Sequence, residues 1–280
     1  MNQETKSTFR LNILLFIATL ATTVIAGAIQ QGVNPIENPF QISKGIPFAL
    51  SLILILSAHE LGHYITSKKH RIDVTLPYFI PAPSFIGTFG AFIKMKSPLL
   101  DRRALLDVGA SGPLVGVIIS IPFLIIGLRL SEITTSAGHG GAALGSSILL
   151  SVLTKLTLGP LPENCDILIH PIGFAGWIGL LITSLNLLPV GQLDGGHVAY
   201  AVLGEKHKRL SIITVFCLLV LGFLGWKGWF FWVFLLLVMG LKHPRPIDLW
   251  TPLDRKRKII GWITLATFIL TFTPVPFGYL

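Results

Sequence analysis

Charge is scarce in this chain. Only 12% of its 280 residues are charged, against roughly 25% in an ordinary globular domain. Hydrophobic residues make up 52% and the mean hydropathy is +0.73. That composition excludes a soluble enzyme carrying a single anchor and points to an integral membrane protein. Cysteine is almost absent. Cys165 and Cys217 are too few and too far apart for a disulfide framework or a Cys-type zinc site, and they do not reveal a redox compartment. Internal repeats, low-complexity linkers and a soluble domain are also missing, so residues 1–280 read as one membrane domain. The net charge of +9 would suit nucleic acid. The basic residues, however, form no single stripe. They fall in short groups between apolar runs, as the positive-inside rule produces, so lipid is the expected surroundings and nucleic acid is not an expected partner.

What is abundant is apolar sequence of spanning length. Met1 to Arg10 is polar and precedes an apolar run longer than a signal-peptide core, without a convincing cleavage site, so the first run reads as a retained helix. Seven apolar segments can be drawn, at 11–30, 46–67, 106–130, 172–190, 210–225, 227–241 and 258–275. The fifth and sixth are short, but Gly225-Trp226-Lys227-Gly228 argues for a turn between them. With seven spans and a cytoplasmic N-terminus, 18 of the 22 Lys and Arg face the cytoplasm. Lys44, Arg129, Lys155 and Lys227 are the exceptions. Fusing segments five and six would strand Lys242, Arg245 and the Arg255–Lys258 cluster on the wrong side. The predicted fold is an all-α polytopic membrane protein of about seven transmembrane helices. Arg71 to Pro98, rich in β-branched and aromatic residues and broken by prolines and glycines, predicts a small membrane-associated β-hairpin or re-entrant region after the second helix. Ser131 to Ile169 reads as loop at 137–141 with a weakly helical patch near 142–156.

The second segment carries the chemistry. His59-Glu60-Leu61-Gly62-His63 lies within Ile46 to Ile65, a run of about twenty residues that would cross roughly 30 Å of hydrocarbon. Ionisable groups are costly at that depth and mark function. Histidines four apart share a helix face and can hold one metal ion, with Glu60 beside it as a general base. A catalytic tetrahedral site takes three protein ligands. Among thirteen acidic residues, Glu60 and Asp194 stand next to apolar segments in a glycine-rich, helix-breaking setting, with Asp107 a weaker third. Asp194 belongs to Asn186-Leu187-Leu188-Pro189-Val190-Gly191-Gln192-Leu193-Asp194-Gly195-Gly196-His197. Gly195 and Gly196 would let a metal-bearing backbone approach. Alternatively, Asp194 could be the N-cap of a short helix.

Together the two motifs resemble the site-2 protease family of intramembrane zinc metalloproteases. Gly109-Ala110-Ser111-Gly112-Pro113 resembles that family's small-residue segment. Gly87-Thr88-Phe89-Gly90-Ala91-Phe92-Ile93 resembles the branch with plant chloroplast and related bacterial members. The likeness covers about residues 45–200, the expected catalytic core, with 11–30, 210–225, 227–241 and 258–275 as additional helices. It implies one zinc ion per chain held by His59, His63 and Asp194, Glu60 as base, and Asn186 as a group that helps hold the reacting carbonyl. It implies hydrolysis of peptide bonds in or near transmembrane segments of protein substrates. Neither the PDZ nor the CBS module that many members of that family carry is expected within residues 1–280. His59 lies about nine residues before Lys68, which puts the site roughly 13 Å below the cytoplasmic interface. A bacterial inner membrane is expected, because an Arg- and Ser-rich transit peptide is missing. Two other readings stay open. One is a metal-binding membrane protein without proteolysis, either a transporter or an inactive relative. The other is a prenyl-protein type of protease, from which Leu-Asp-Gly-Gly points away. His197 reads as a capping or solvated histidine in preference to one orienting a ligand. His70, His139, His170, His207 and His243 read as ordinary loop residues, Asp107 as an interfacial or capping carboxylate, and Arg255–Lys258 as a topology anchor with some attraction to anionic lipid. Gly173, Gly176 and Gly179 would permit close helix packing.

Overall fold

The computed structural model describes residues 3–97, 101–135, 142–162, 165–248 and 250–279. His139 and the loop expected at 137–141 lie outside that range. Among the described residues the chain is mostly helical. Helix α1 (Gln3–Gln30) is followed by α2 (Ile46–Lys69), which starts with Pro47 in its first turn and ends on Lys68 and Lys69, cations suited to a helix C-terminus. The expected hairpin follows as β1 (Tyr78–Pro81) and β2 (Thr88–Phe92), antiparallel with Phe79 opposite Ala91. Helix α3 (Arg102–Arg129) is capped by Asp101, which accepts from the Ala104 N–H at 2.7 Å.

Beyond α3 come β3 (Glu132–Thr135), β4 (Ala142–Leu144), α4 (Ile148–Leu158) and β5 (Cys165–Leu168). Then follow α5 (Pro171–Asn186), α6 (Asp194–Leu203), α7 (His207–Leu224), α8 (Gly228–Met239), α9 (Arg255–Thr271) and β6 (Phe277–Tyr279). Two further strand pairs, β3 with β5 and β4 with β6, are absent from the sequence expectation. The turn at 225–228 does separate α7 from α8.

Among the described residues, four helices are long and apolar enough to cross a membrane: Phe9–Gln30, Pro39–Lys69, Arg102–Arg129 and Asp194–Leu224, the last made of α6 and α7 joined through a 3-10 turn. Helices α5 and α8 are apolar but shorter. The chain is therefore an integral membrane protein with at least these four candidate spans, fewer than the seven segments drawn from hydropathy.

Helix α5 sits at the centre, buried on nearly every side against α2 and α3. Phe48, Leu52, Leu124, Trp177 and Ile178 form the core there. By contrast α1, α7, α8 and α9 expose Leu14, Phe216, Phe234 and Trp262, the outward apolar surface that lipid covers. Close approach of α5 uses the glycines picked out in sequence. A Cβ on Gly176 would stand 2.8 Å from the Leu124 side chain, and one on Gly179 would stand 2.4 Å from Ser120 Oγ.

On the side where α2 ends, Arg257 grips Asp107 through Nε at 3.0 Å and Nη2 at 2.6 Å, and His70 Nε2 lies 2.8 Å from the same carboxylate. Asp107 thus ties α3 to α9 and to the end of α2. Arg257, one of the cluster read as a topology anchor, is also a structural clamp. The sequence reading named no partner for His70 or Arg257 because that partner lies far off in the chain, in Arg257's case by 150 positions.

Candidate metal centre

Helix α2 presents His59 and His63 on one face, and α6 presents Asp194 from its first turn. The two histidines are 4% and 6% exposed. His59 Nε2 and His63 Nε2 lie 3.2 Å apart, and Asp194 Oδ2 lies 3.3 and 3.2 Å from them. All three ligand atoms fall within one group able to hold a metal.

Those spacings can be tested against a zinc ion. With ligand bonds of about 2.0–2.1 Å, the edge of a tetrahedron is about 3.3–3.4 Å, close to what the three atoms show. The proton assignment agrees. His63 Nδ1 lies 2.8 Å from the Val108 carbonyl oxygen, to which it must donate, so neutral His63 leaves Nε2 bare and aimed at the other two atoms. Two imidazoles and a carboxylate packed this closely fit a divalent cation.

Local sequence explains why the atoms converge. Gly62 lets α2 touch α3, since a Cβ there would meet the Ser111 carbonyl oxygen at 2.8 Å. Gly112 faces His63: a Cβ would sit 2.1 Å from its Nε2. Gly116, one turn later, faces His59 Nδ1 at 2.9 Å. The turn after α5 presents Asp194. Gly191 has φ +55, a left-handed conformation glycine adopts freely, and its place is against the Gly240 carbonyl. Gly195 and Gly196 pack on the Leu187 and Gly191 carbonyls, where a Cβ would stand 1.9 and 2.5 Å away. The two glycines were expected to admit a metal-bearing backbone. They instead let α6 fold onto its own preceding turn, which aims Asp194. The N-cap of α6 is Leu193, so Asp194 is not the capping residue.

Glu60 is 5% exposed and lines a cavity of about 220 Å³ with the three ligand residues, Asn186 and His197. Asn186 Nδ2 lies 3.4 Å from His59 Nε2, at the rim of the cluster. Ala91, Phe92 and Ile93, in and just beyond β2, form another wall. Opposite them, α1 packs on β1. Asn12 Nδ2 donates to the Leu76 and Pro77 carbonyls at 3.0 and 3.1 Å, and Thr22 Oγ1 donates to Gly87 O at 2.7 Å. Gly87 has φ +81, and a side chain there would strike the Thr22 backbone.

Three histidines depart from the sequence reading. His197, His207 and His243 are 7%, 1% and 8% exposed. His197 is neither solvated nor capping, and the three cluster around Tyr200 next to the cavity. Sequence gave no signal for His207 or His243, which neighbour His197 only in space. For Gly112 and Gly116 a signal existed, two small residues four apart on one helix face.

Comparison with known proteins accords with this arrangement. Residues 47–223 match Peptidase family M50. The chain is 29% identical to the probable zinc metalloprotease EGY1, chloroplastic, of Arabidopsis thaliana, over 94% of this chain and 52% of that protein. It is 32% identical to the probable zinc metalloprotease EGY2, chloroplastic, of the same plant, over 87% of this chain and 44% of the relative. A rice EGY1, from Oryza sativa subsp. japonica, is 33% identical over 66% of this chain. The chain thus spans about half the length, or less, of these relatives. No solved structure matches it. With more than half of its length matched to that family, and both motifs inside the matched segment, the chain belongs to peptidase family M50, the site-2 proteases.

Proposed function

We propose that this protein is an intramembrane zinc metalloprotease that hydrolyses peptide bonds within or near the transmembrane segments of membrane-protein substrates. One observation carries the reading: three metal-ligand atoms from α2 and α6 sit 3.2–3.3 Å apart beside a buried carboxylate, inside a helix of membrane-spanning length. His59, His63 and Asp194 would hold the ion. Zinc, when bound, supplies Lewis-acid activation of water and polarisation of the scissile carbonyl. Glu60 takes the proton from the attacking water and passes it to the nitrogen of the leaving amine. Asn186 Nδ2 donates to the carbonyl oxygen as negative charge grows there.

A helical substrate hides its peptide bonds and must unwind before cleavage. The hairpin is suited to receive the unwound stretch. Helix α1 covers β1, whereas β2 and the residue after it face the cavity. Strand addition along β2 would lay the substrate backbone beside Glu60.

Seven spans remain the topology that best accounts for the charge distribution. The packing supports it: β4 pairs with β6 near the C-terminus, and Trp226 in the α7–α8 turn packs on Phe277. The ends tied by Asp107, Arg257 and Arg245–Glu205 form the opposite set. On that topology the site opens toward the cytoplasmic side. We take the membrane to be a bacterial inner membrane, whereas the names of the plant relatives favour a chloroplast membrane. Fractionation of the native source distinguishes the two.

The test is incubation of the purified protein in lipid vesicles with a labelled single-span substrate. Cleavage that stops with a zinc chelator and returns with added zinc supports the proposal. Stoichiometric zinc with no cleavage of any membrane substrate would favour a non-proteolytic metal protein.

A further inference from the structure

The buried histidine cluster is unused by the mechanism above. His197 follows Asp194 by one turn of α6, lines the same cavity, and is 7% exposed. Gly109 of α3 admits it: a Cβ on Gly109 would stand 2.7 Å from the His197 Cβ. His197 Nδ1 lies 2.6 Å from His243 Nε2, and His243 Nδ1 lies 2.5 Å from the Pro244 carbonyl oxygen. The His243 ring is stacked on Tyr200 with centroids 4.6 Å apart, which fixes its plane.

The positions of the protons follow from these partners. A carbonyl oxygen only accepts, so His243 Nδ1 carries hydrogen. Burial pushes the His243 pKa down to about 4, so at neutral pH its Nε2 is bare and accepts. His197 Nδ1 must then supply the hydrogen of the 2.6 Å bond. The neutral ring has only one N–H, so His197 Nε2 is bare as well. That nitrogen has no hydrogen-bond partner among the described residues, and His197 is one of the residues that line the cavity.

We propose that His243 and His197 form a hydrogen-bond relay that presents a bare His197 Nε2 to the leaving nitrogen of the scissile peptide. The proposal rests on the peptide-hydrolysis reading above and adds to it a second polar contact with the leaving nitrogen, beside that of Glu60. In the ground state the amide nitrogen has one weak N–H donor. As the carbon becomes tetrahedral and Glu60 delivers a proton, the nitrogen gains a second N–H and positive charge. An acceptor at that point gains most in the transition state. The proton stays on the amine; His197 accepts a hydrogen bond and no bond to it forms or breaks. His197 is then a catalytic residue, and His243 a positioning residue that sets its tautomer, as a buried partner does for other catalytic histidines.

The first test does not depend on turnover. In full-length protein carrying ¹⁵N-histidine, with His197 assigned from the His197→Gln spectrum, Nδ1 should be the protonated nitrogen and Nε2 the bare one. The opposite tautomer overturns the relay, whether or not the protein cleaves peptides. Kinetics supply the second test. His197→Ala should keep its zinc, hold KM within about twofold, and lose roughly 10- to 100-fold in kcat, the range of one charge-assisted hydrogen bond. Loss of zinc from that variant would make His197 part of the metal site and overturn the proposal. His243→Phe should lower kcat roughly tenfold, and His243→Gln, whose side-chain carbonyl still accepts from His197 Nδ1, should recover most of that loss. Equal losses in the two variants would refute the positioning role. Should the phenylalanine variant fail to fold, the glutamine variant and the wild-type spectrum still decide.

Discussion

One methyl group added at Gly112 should strip the site of its metal, although Gly112 offers no ligand. The Cβ of an alanine there would stand 2.1, 2.4 and 2.6 Å from Nε2, Cδ2 and Cε1 of His63. Ordinary contact between such atoms begins at about 3.5 Å, so the imidazole must move by roughly 1.4 Å. It has nowhere to go without cost. Its Nδ1 is held by the Val108 carbonyl at 2.8 Å, and Gly62 already fixes α2 against Ser111. Metal–ligand distances tolerate about 0.2 Å, several times less than that displacement. We expect zinc affinity to fall at least about 100-fold, at the upper end of what changes beside a ligand produce. Helix propensity pulls the other way, because alanine is about 1 kcal/mol more favourable than glycine in a helix interior. A loss would therefore report the clash. Gly116→Ala needs only about 0.6 Å of relief at His59, since its Cβ stands 2.9 Å from Nδ1, and should lose about tenfold. Gly261→Ala on α9 meets nothing closer than 3.6 Å and serves as the control. The assay is the zinc-to-protein ratio of purified variants under chelator competition. Gly112→Ala with stoichiometric zinc at wild-type affinity would refute the geometry.

Three further outcomes are expected. Glu60→Gln should keep zinc and lose roughly 10²- to 10⁴-fold in cleavage rate, the contribution typical of a general base; full activity in the substrate assay would remove Glu60 from the mechanism. Asp107→Asn should cost about 1–3 kcal/mol of stability, because Arg257 and His70 lose a carboxylate whose side chain is only 16% exposed; thermal unfolding in detergent reads this, and zinc content should not change. Asn12→Leu combined with Thr22→Val removes three contacts from α1 to the hairpin region. It should raise KM with zinc retained, and an unchanged KM would count against β2 as the substrate's docking edge.

Much of the local structure was legible in the chain. The hairpin at Tyr78–Phe92 announced itself because prolines and glycines interrupt a run of β-branched and aromatic residues too irregular for a helix. The turn between α7 and α8 was marked by its glycines. Pairings between distant segments were not legible. Nothing near Cys165 or Glu132 names the other as a strand partner, because a short strand's register depends on which element lies beside it. Arg257 looked like one cation among four. Only the fold shows that it alone among them faces Asp107.

Membrane residence and the pair of histidines on one helix face follow from the sequence itself, since hydropathy and a 3.6-residue period are local properties. The Leu193-Asp194-Gly195-Gly196 motif also named the distant carboxylate through its resemblance to a known family, whereas which glycines leave room for the imidazoles and which tautomer His197 adopts were decided by tertiary structure. Each depends on atoms that approach within a few ångströms from residues far apart in the chain, and sequence spacing does not encode such distances.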